Sequence, residues 1–156
     1  MKFLKAVLSF AAIATLALFS NCGDDPSEPP IQDQQLAKLT KTWKVQSVFK
    51  DNPTSGDRTA EYQNFTLTLT GTPGAALFDY SAQNRPPLSP WKASGKWSFG
   101  QSVETQIIRD AGTTDELQMT YVVSDNSLQV TFTFNGTGYP GRVGVVTGNW
   151  TFNFVP

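Results

Sequence analysis

Thirteen carboxylates and twelve cationic side chains carry the charge of this chain; there is one cysteine and no histidine. Without an imidazole, neither a Ser-His-Asp nor a Cys-His nucleophile can be assembled, and the commonest transition-metal ligand is missing. Acid–base chemistry then falls to carboxylates such as Asp79, Glu104, Asp110, Asp115 and Glu116. Two carboxylates flanking a glycosidic bond can hydrolyse it. No spacing here marks such a pair, and solvated charges on turns and outward faces account for these residues. Asp51-Asn52…Asp57 and Asp125-Asn126 are too sparse for a calcium loop and read as turns. No glycine-rich loop leads into a helix, so nucleotide motifs are absent. The expectation is therefore a non-enzyme with no cofactor and no metal. The remaining candidates are aromatic: Trp91 follows Pro86-Pro87-Leu88-Ser89-Pro90, and Tyr139 sits in Gly138-Tyr139-Pro140-Gly141. Stiff loops present an aromatic ring with little entropy left to lose, so both can contact a ligand or partner. The competing expectation is that they fold back and cap one end of the domain.

The lone thiol has its own chemistry. Cys22 follows a basic start, Met1-Lys2-Phe3-Leu4-Lys5, and an apolar run from Ala6 to Phe19. That run is shorter than the roughly 20 residues needed to cross a bilayer core, and it suits a signal-peptide core. Leu18-Phe19-Ser20-Asn21-Cys22 resembles a lipobox, which implies cleavage before Cys22 and lipidation of that residue, with 1–21 as the signal peptide. Acyl chains contribute ~0.8 kcal/mol per buried methylene, so two or three of them anchor a protein durably. Asp24-Asp25 resembles the acidic export signals of some Gram-negative lipoproteins; a plain solvated tether is the other reading. The expected location is the bacterial outer membrane, on its periplasmic or surface-exposed side.

Residues 22–33, with prolines and acids around one aliphatic, read as an extended tether. Gln34 to Leu39 offers a short helix with Leu36 and Leu39 on one side, placed to act as a lid. The remainder, domain 34–156, is long enough for one core. Once Lys2 and Lys5 are set aside acids are in excess, so no nucleic-acid surface is expected.

Period-2 alternation then dominates. Trp43-Val45-Ser47-Phe49, Phe65-Leu67-Leu69, Phe78-Tyr80, Trp97-Phe99, Leu117-Met119-Tyr121-Val123, Leu128-Val130-Phe132-Phe134 and Trp150-Phe152-Phe154 each pair an apolar face with a polar one, and Ile107-Ile108 marks one more strand. Turn residues separate the runs. An all-β antiparallel up-and-down barrel of about eight strands removes its edges by closing; a β-sandwich satisfies the same alternation. A transmembrane barrel would turn the apolar face outward and needs longer strands.

Leu39-Thr40-Lys41-Thr42-Trp43-Lys44-Val45, Gly95-Lys96-Trp97-Ser98-Phe99 and Gly148-Asn149-Trp150-Thr151-Phe152, with Asn84 to Trp91 before the middle motif, resemble the lipocalin-like lipoproteins of Gram-negative bacteria. The resemblance implies a lipocalin-like barrel over about Leu36 to Pro156. Lysine stands at position 41, where lipocalins proper carry glycine two residues before the tryptophan. An eight-stranded barrel is either filled by side chains or holds one small ligand. The number of inward aromatics, from Trp43 and Phe65 to Trp150 and Phe152, favours a largely filled core. Two functions are then expected: binding of a small apolar molecule, or presentation of loops to an envelope protein by a filled barrel. Trp91, Tyr139, Trp43, Tyr80 and Arg142 are the candidate contacts.

Overall fold

The computed structural model describes residues 28–52, 56–139 and 146–156; Cys22 and Arg142 lie outside them. Eight strands follow one helix: α1 Ile31–Leu39, β1 Thr42–Lys50, β2 Thr66–Thr70, β3 Phe78–Gln83, β4 Ser94–Phe99, β5 Gln106–Arg109, β6 Leu117–Val123, β7 Leu128–Phe134 and β8 Gly148–Val155. Each strand pairs antiparallel with the next, and β8 returns to β1 with Val48 opposite Phe152 and Lys50 opposite Trp150. The sheet therefore closes as an up-and-down barrel, which decides against a sandwich. No described helix is long and apolar enough to cross a membrane.

Alternation places the apolar residues inside. Trp43, Phe65, Leu67, Phe78, Trp97, Tyr121, Val130, Phe152 and Phe154 are all buried, and Phe132, Phe152 and Phe154 stack in sequence at 5.9 Å between centroids. Each large apolar side chain withdrawn from water contributes about 1.5–3 kcal/mol. The reverse orientation, apolar side outward, is the one that faces lipid in transmembrane barrels.

One strand departs from simple alternation. The β1–β8 register shifts between Val45 and Ser47, so Gln46 is an extra residue in β1. After this bulge Val48 points inward and is fully buried, while Ser47 faces outward and accepts a hydrogen bond from Asn153 Nδ2 at 2.9 Å. The expected Trp43-Val45-Ser47-Phe49 face is thus correct only for its first half, because a bulge inverts the side-chain phase behind it.

The helix closes the end of the barrel where β1 starts. It begins at Ile31, earlier than the expected Gln34, because Pro30 occupies its N-cap. A proline there loses no helical hydrogen bond. Leu36 and Leu39 are buried, and the Trp43 indole donates to Leu39 O at 2.9 Å. The Tyr121 hydroxyl donates to Val103 O and lies 3.4 Å from Gln35 Oε1, placing β6 against the β4–β5 loop and the helix.

Candidate functional site

The opposite end collects most of the unusual chemistry. Here the β3–β4 and β5–β6 loops and residues 135–139 after β7 converge with a 3₁₀ turn, Thr59–Tyr62. Residue 109 alternates inward at the end of β5, and it is an arginine. Arg109 is only 2 % exposed. Its guanidinium lies 5.8 Å from the ring centroids of both Trp91 and Tyr139, and Nη1 donates to Pro90 O at 2.7 Å. A cation buried this deeply requires a counter-charge, and the next residue supplies it.

Asp110 leaves the strand at a φ of 52°, which aspartate tolerates better than most side chains. That turn points its carboxylate back into the barrel mouth. Its Oδ2 sits 3.6 Å from Arg109 Nε, 3.7 Å from Lys92 Nζ and 3.2 Å from the Tyr80 hydroxyl, and its Oδ1 accepts from Lys96 N at 2.9 Å. The space is made by Gly95, where a Cβ would come within 2.2 Å of Asp110 Oδ1. Asp110 is therefore a buried counter-ion and not the solvated turn residue expected from the sequence.

Trp91 is the plug over this layer. It is 2 % exposed and packs edge-on against Phe132 and Phe152 at 5.6 and 5.7 Å, with Phe65 and Tyr80 also in ring contact. Its loop is fixed from several sides. Arg85 Nη1 donates to Trp91 O at 2.8 Å, and the backbones of Ser89 and Tyr139 exchange hydrogen bonds across the two loops. Among the described residues, the buried Trp91 Nε1 and Arg109 Nε atoms have no hydrogen-bond partner.

Tyr139 stands at the rim. Its hydroxyl donates to Asp115 Oδ1 at 2.6 Å, and Lys92 Nζ donates to Asp115 Oδ2 at 3.0 Å. Those two bonds hold the Asp115 carboxyl below the usual carboxylate range, the tyrosine bond being the stronger cause. Desolvation, helped by the same bond, pushes the Tyr139 phenol up to about 12. Burial likewise raises the Tyr62 and Tyr80 phenols. Beside the rim lies a concavity of about 370 Å³ lined by Arg109, Asp115, Glu116, Leu117 and the Phe134–Tyr139 segment.

The sequence-derived contacts are thus divided. Trp91, Tyr80 and Tyr139 come together at this end; Trp43 lies at the other, with Lys41 Nζ 4.9 Å over its ring. Trp43, Tyr80 and Trp91 are buried, so Tyr139 is the member with access to solvent among the described residues. Arg109 was missed because an isolated arginine at a strand end usually faces water; its inward register, two residues after Ile107, was the available signal.

Asp110 and Asp115 both approach Lys92, which is the closest this end comes to a carboxylate pair. A glycosidase acid must hold its proton near neutrality and so needs a raised pKa. Asp115 is shifted the other way, and every oxygen of Asp110 is engaged by a cation or a donor. The arrangement is suited to locking loops onto the barrel. Comparison with protein-family models, curated proteins and solved structures finds no match to this chain.

Proposed function

We propose that the protein is a lipid-anchored lipoprotein of the bacterial outer membrane whose lipocalin-like barrel works as a non-catalytic binding module. In this reading Cys22 carries the acyl chains, the following residues tether the domain, and the barrel is a filled scaffold. The loop end then meets an envelope partner through Tyr139, the Asn135–Gly138 turn and the neighbouring concavity. One observation carries the choice between the two expected functions: Trp91 occupies the barrel mouth as part of the packed core. A small apolar molecule inside the barrel would have to displace that ring and break the Arg85 and Arg109 hydrogen bonds that hold its loop.

Two measurements test this. Native mass spectrometry of the purified protein should give the acylated chain with no further mass, and Cys22→Ser should remove the acyl mass and the membrane association. A reproducible apolar adduct lost on denaturation would instead establish the interior-ligand reading. A photo-crosslinking residue at the exposed Thr137 should then capture an envelope protein that the same probe at Thr70, on the helix end, does not. Equal capture from both ends would remove the loop end as the contact.

A further inference from the structure

The outward positions of β5–β8 carry no charged side chain. They are Gln, Thr and Asn, apart from Ile108, Val122 and Val155. Across them runs a concavity of about 550 Å³ whose side-chain polar groups include those of Gln106, Gln118, Thr120, Thr131, Thr133 and Asn149. A second hollow of about 320 Å³ continues on the same face around Ser47, Gln129 and Asn153. The larger one falls within the roughly 300–1,000 Å³ typical of small-molecule sites.

The amides on this face are held in orientation. Thr133 Oγ1 donates to Asn149 Oδ1 at 2.6 Å, and Gln129 Nε2 donates to Asn153 Oδ1 at 2.9 Å. Such cross-strand bonds fix which end of each amide faces out before anything binds, lowering the ordering cost of binding. The Gln118 side chain is exposed and lines the same concavity.

The chemistry of the face selects its occupant. A charged ligand would lose water and find no counter-ion. An apolar ligand would bury amides and hydroxyls with nothing to pair them. A protein interface is usually centred on Tyr, Trp or Arg anchors, and no outward position of β5–β8 supplies one. What remains is a neutral molecule rich in hydroxyls, each both donor and acceptor, with apolar C–H faces to lie on Ile108. We propose that the outward face of β5–β8 binds a neutral oligosaccharide chain lying across the strands between Gln106 and Asn149. The site is separate from the loop end, and its failure would leave the loop-end reading standing.

The test is NMR titration of the full protein, purified in a detergent without a sugar headgroup, against maltoheptaose, cellohexaose and mannohexaose, with oligogalacturonate as the charged control. Saturable amide shifts confined to β5–β8 are expected with at least one neutral chain and not with the control. Gln118→Ala and Thr120→Ala, both at exposed positions, should weaken that binding about tenfold each, the effect of losing roughly one hydrogen bond. Should Thr120→Ala disturb the barrel, Gln118→Ala alone decides. The proposal is overturned by no shift with any neutral chain, by equal binding of the charged control, or by affinity unchanged in Gln118→Ala. Shifts on this face that follow protein concentration without sugar would mark a contact between copies and overturn it equally.

Discussion

Trp91→Ala is the perturbation that most directly tests the filled barrel. The indole is 2 % exposed, contacts four other aromatic rings and carries the Arg109 guanidinium 5.8 Å from its centroid. Truncating a buried Phe or Trp to alanine costs about 3–5 kcal/mol, the larger values arising where the site cannot collapse. Edge-on ring pairs like those with Phe132 and Phe152 add about 0.5–1.5 kcal/mol each beyond burial. Against this, the variant relieves an indole N–H that is buried without a partner among the described residues, and the loop has some freedom to settle inward. The expected loss is about 3–4 kcal/mol. Trp91→Phe separates the two contributions. It keeps a ring in the mouth and removes the unpaired N–H, whose burial costs about 1–3 kcal/mol, so its net effect should stay within about 1 kcal/mol. Urea unfolding, followed by far-UV circular dichroism and by the fluorescence of Trp43, Trp97 and Trp150, measures both. A loss below about 1 kcal/mol for alanine would place the ring outside the core. A phenylalanine variant as weak as alanine would mean that the indole N–H has a partner, refuting the argument built on it.

The four tyrosines, Tyr62, Tyr80, Tyr121 and Tyr139, are all raised, chiefly by burial. The stability they contribute is complete below the unfolded pKa of about 10 and is lost as pH rises towards the folded values. Tyrosinate absorbance should therefore stay flat through that region and then rise in one step together with the loss of circular dichroism; a separate rise near the ordinary value would contradict their burial. Asp115 has the opposite sign: its stabilisation is present above the usual carboxylate range and falls away as pH drops through its lowered folded value, so Asp115→Asn should flatten the acid limb of the stability profile. Asp110→Asn keeps shape and backbone but leaves Arg109 without its adjacent counter-charge. A destabilisation of about 3 kcal/mol is expected, shrinking in the background of Arg109→Met, and a double-mutant cycle by urea unfolding would expose any lack of coupling. Gly95→Ala should cost about 1–3 kcal/mol by driving a Cβ against the Asp110 carboxylate and the Tyr80 ring; a neutral outcome in the same assay would mean the mouth is looser than its distances indicate.

Much of the barrel was legible because its signal is redundant. In β2, β7 and β8 every second residue is apolar over the whole strand, and the turn residues fall where the alternation stops, so strand number and facing follow from counting. In the first strand the alternation does not hold past Gln46, because a bulge leaves no mark in composition; only the partner strand reveals that one residue is extra. The loop end was harder for a different reason. Trp91 in a proline-rich loop suggests presentation to a partner, and its burial depends on Phe132 and Phe152, some forty and sixty residues further along the chain. The Arg109–Asp110 pair is local in sequence, yet its inward direction depends on the strand phase of β5 and on the empty space at Gly95.

These features bear on function through where charge has been placed. From Leu117 to Pro156 the only charged residues are Arg142 and Asp125, and Asp125 lies in the turn between β6 and β7. The first four strands and their loops hold the Asp79–Lys96 pair and Lys92, which reaches Asp110 and Asp115 in the β5–β6 loop. One side of the barrel therefore carries ion pairs that tie strands and loops together, and the outward strand positions of the other present hydroxyls, amides and three aliphatic side chains without a charge. An outward position exposed to water tolerates almost any polar residue, and lysine or glutamate there favours solubility and discourages association. Burial and sheet geometry do not require their omission from four consecutive strands. Thr and Val suit a strand by propensity, but Gln118, Gln129, Asn149 and Asn153 do not, and asparagine is among the poorer strand formers. Their presence in place of a charged residue is the part of this surface that fold stability leaves unexplained, and recognition of an uncharged polar ligand accounts for it.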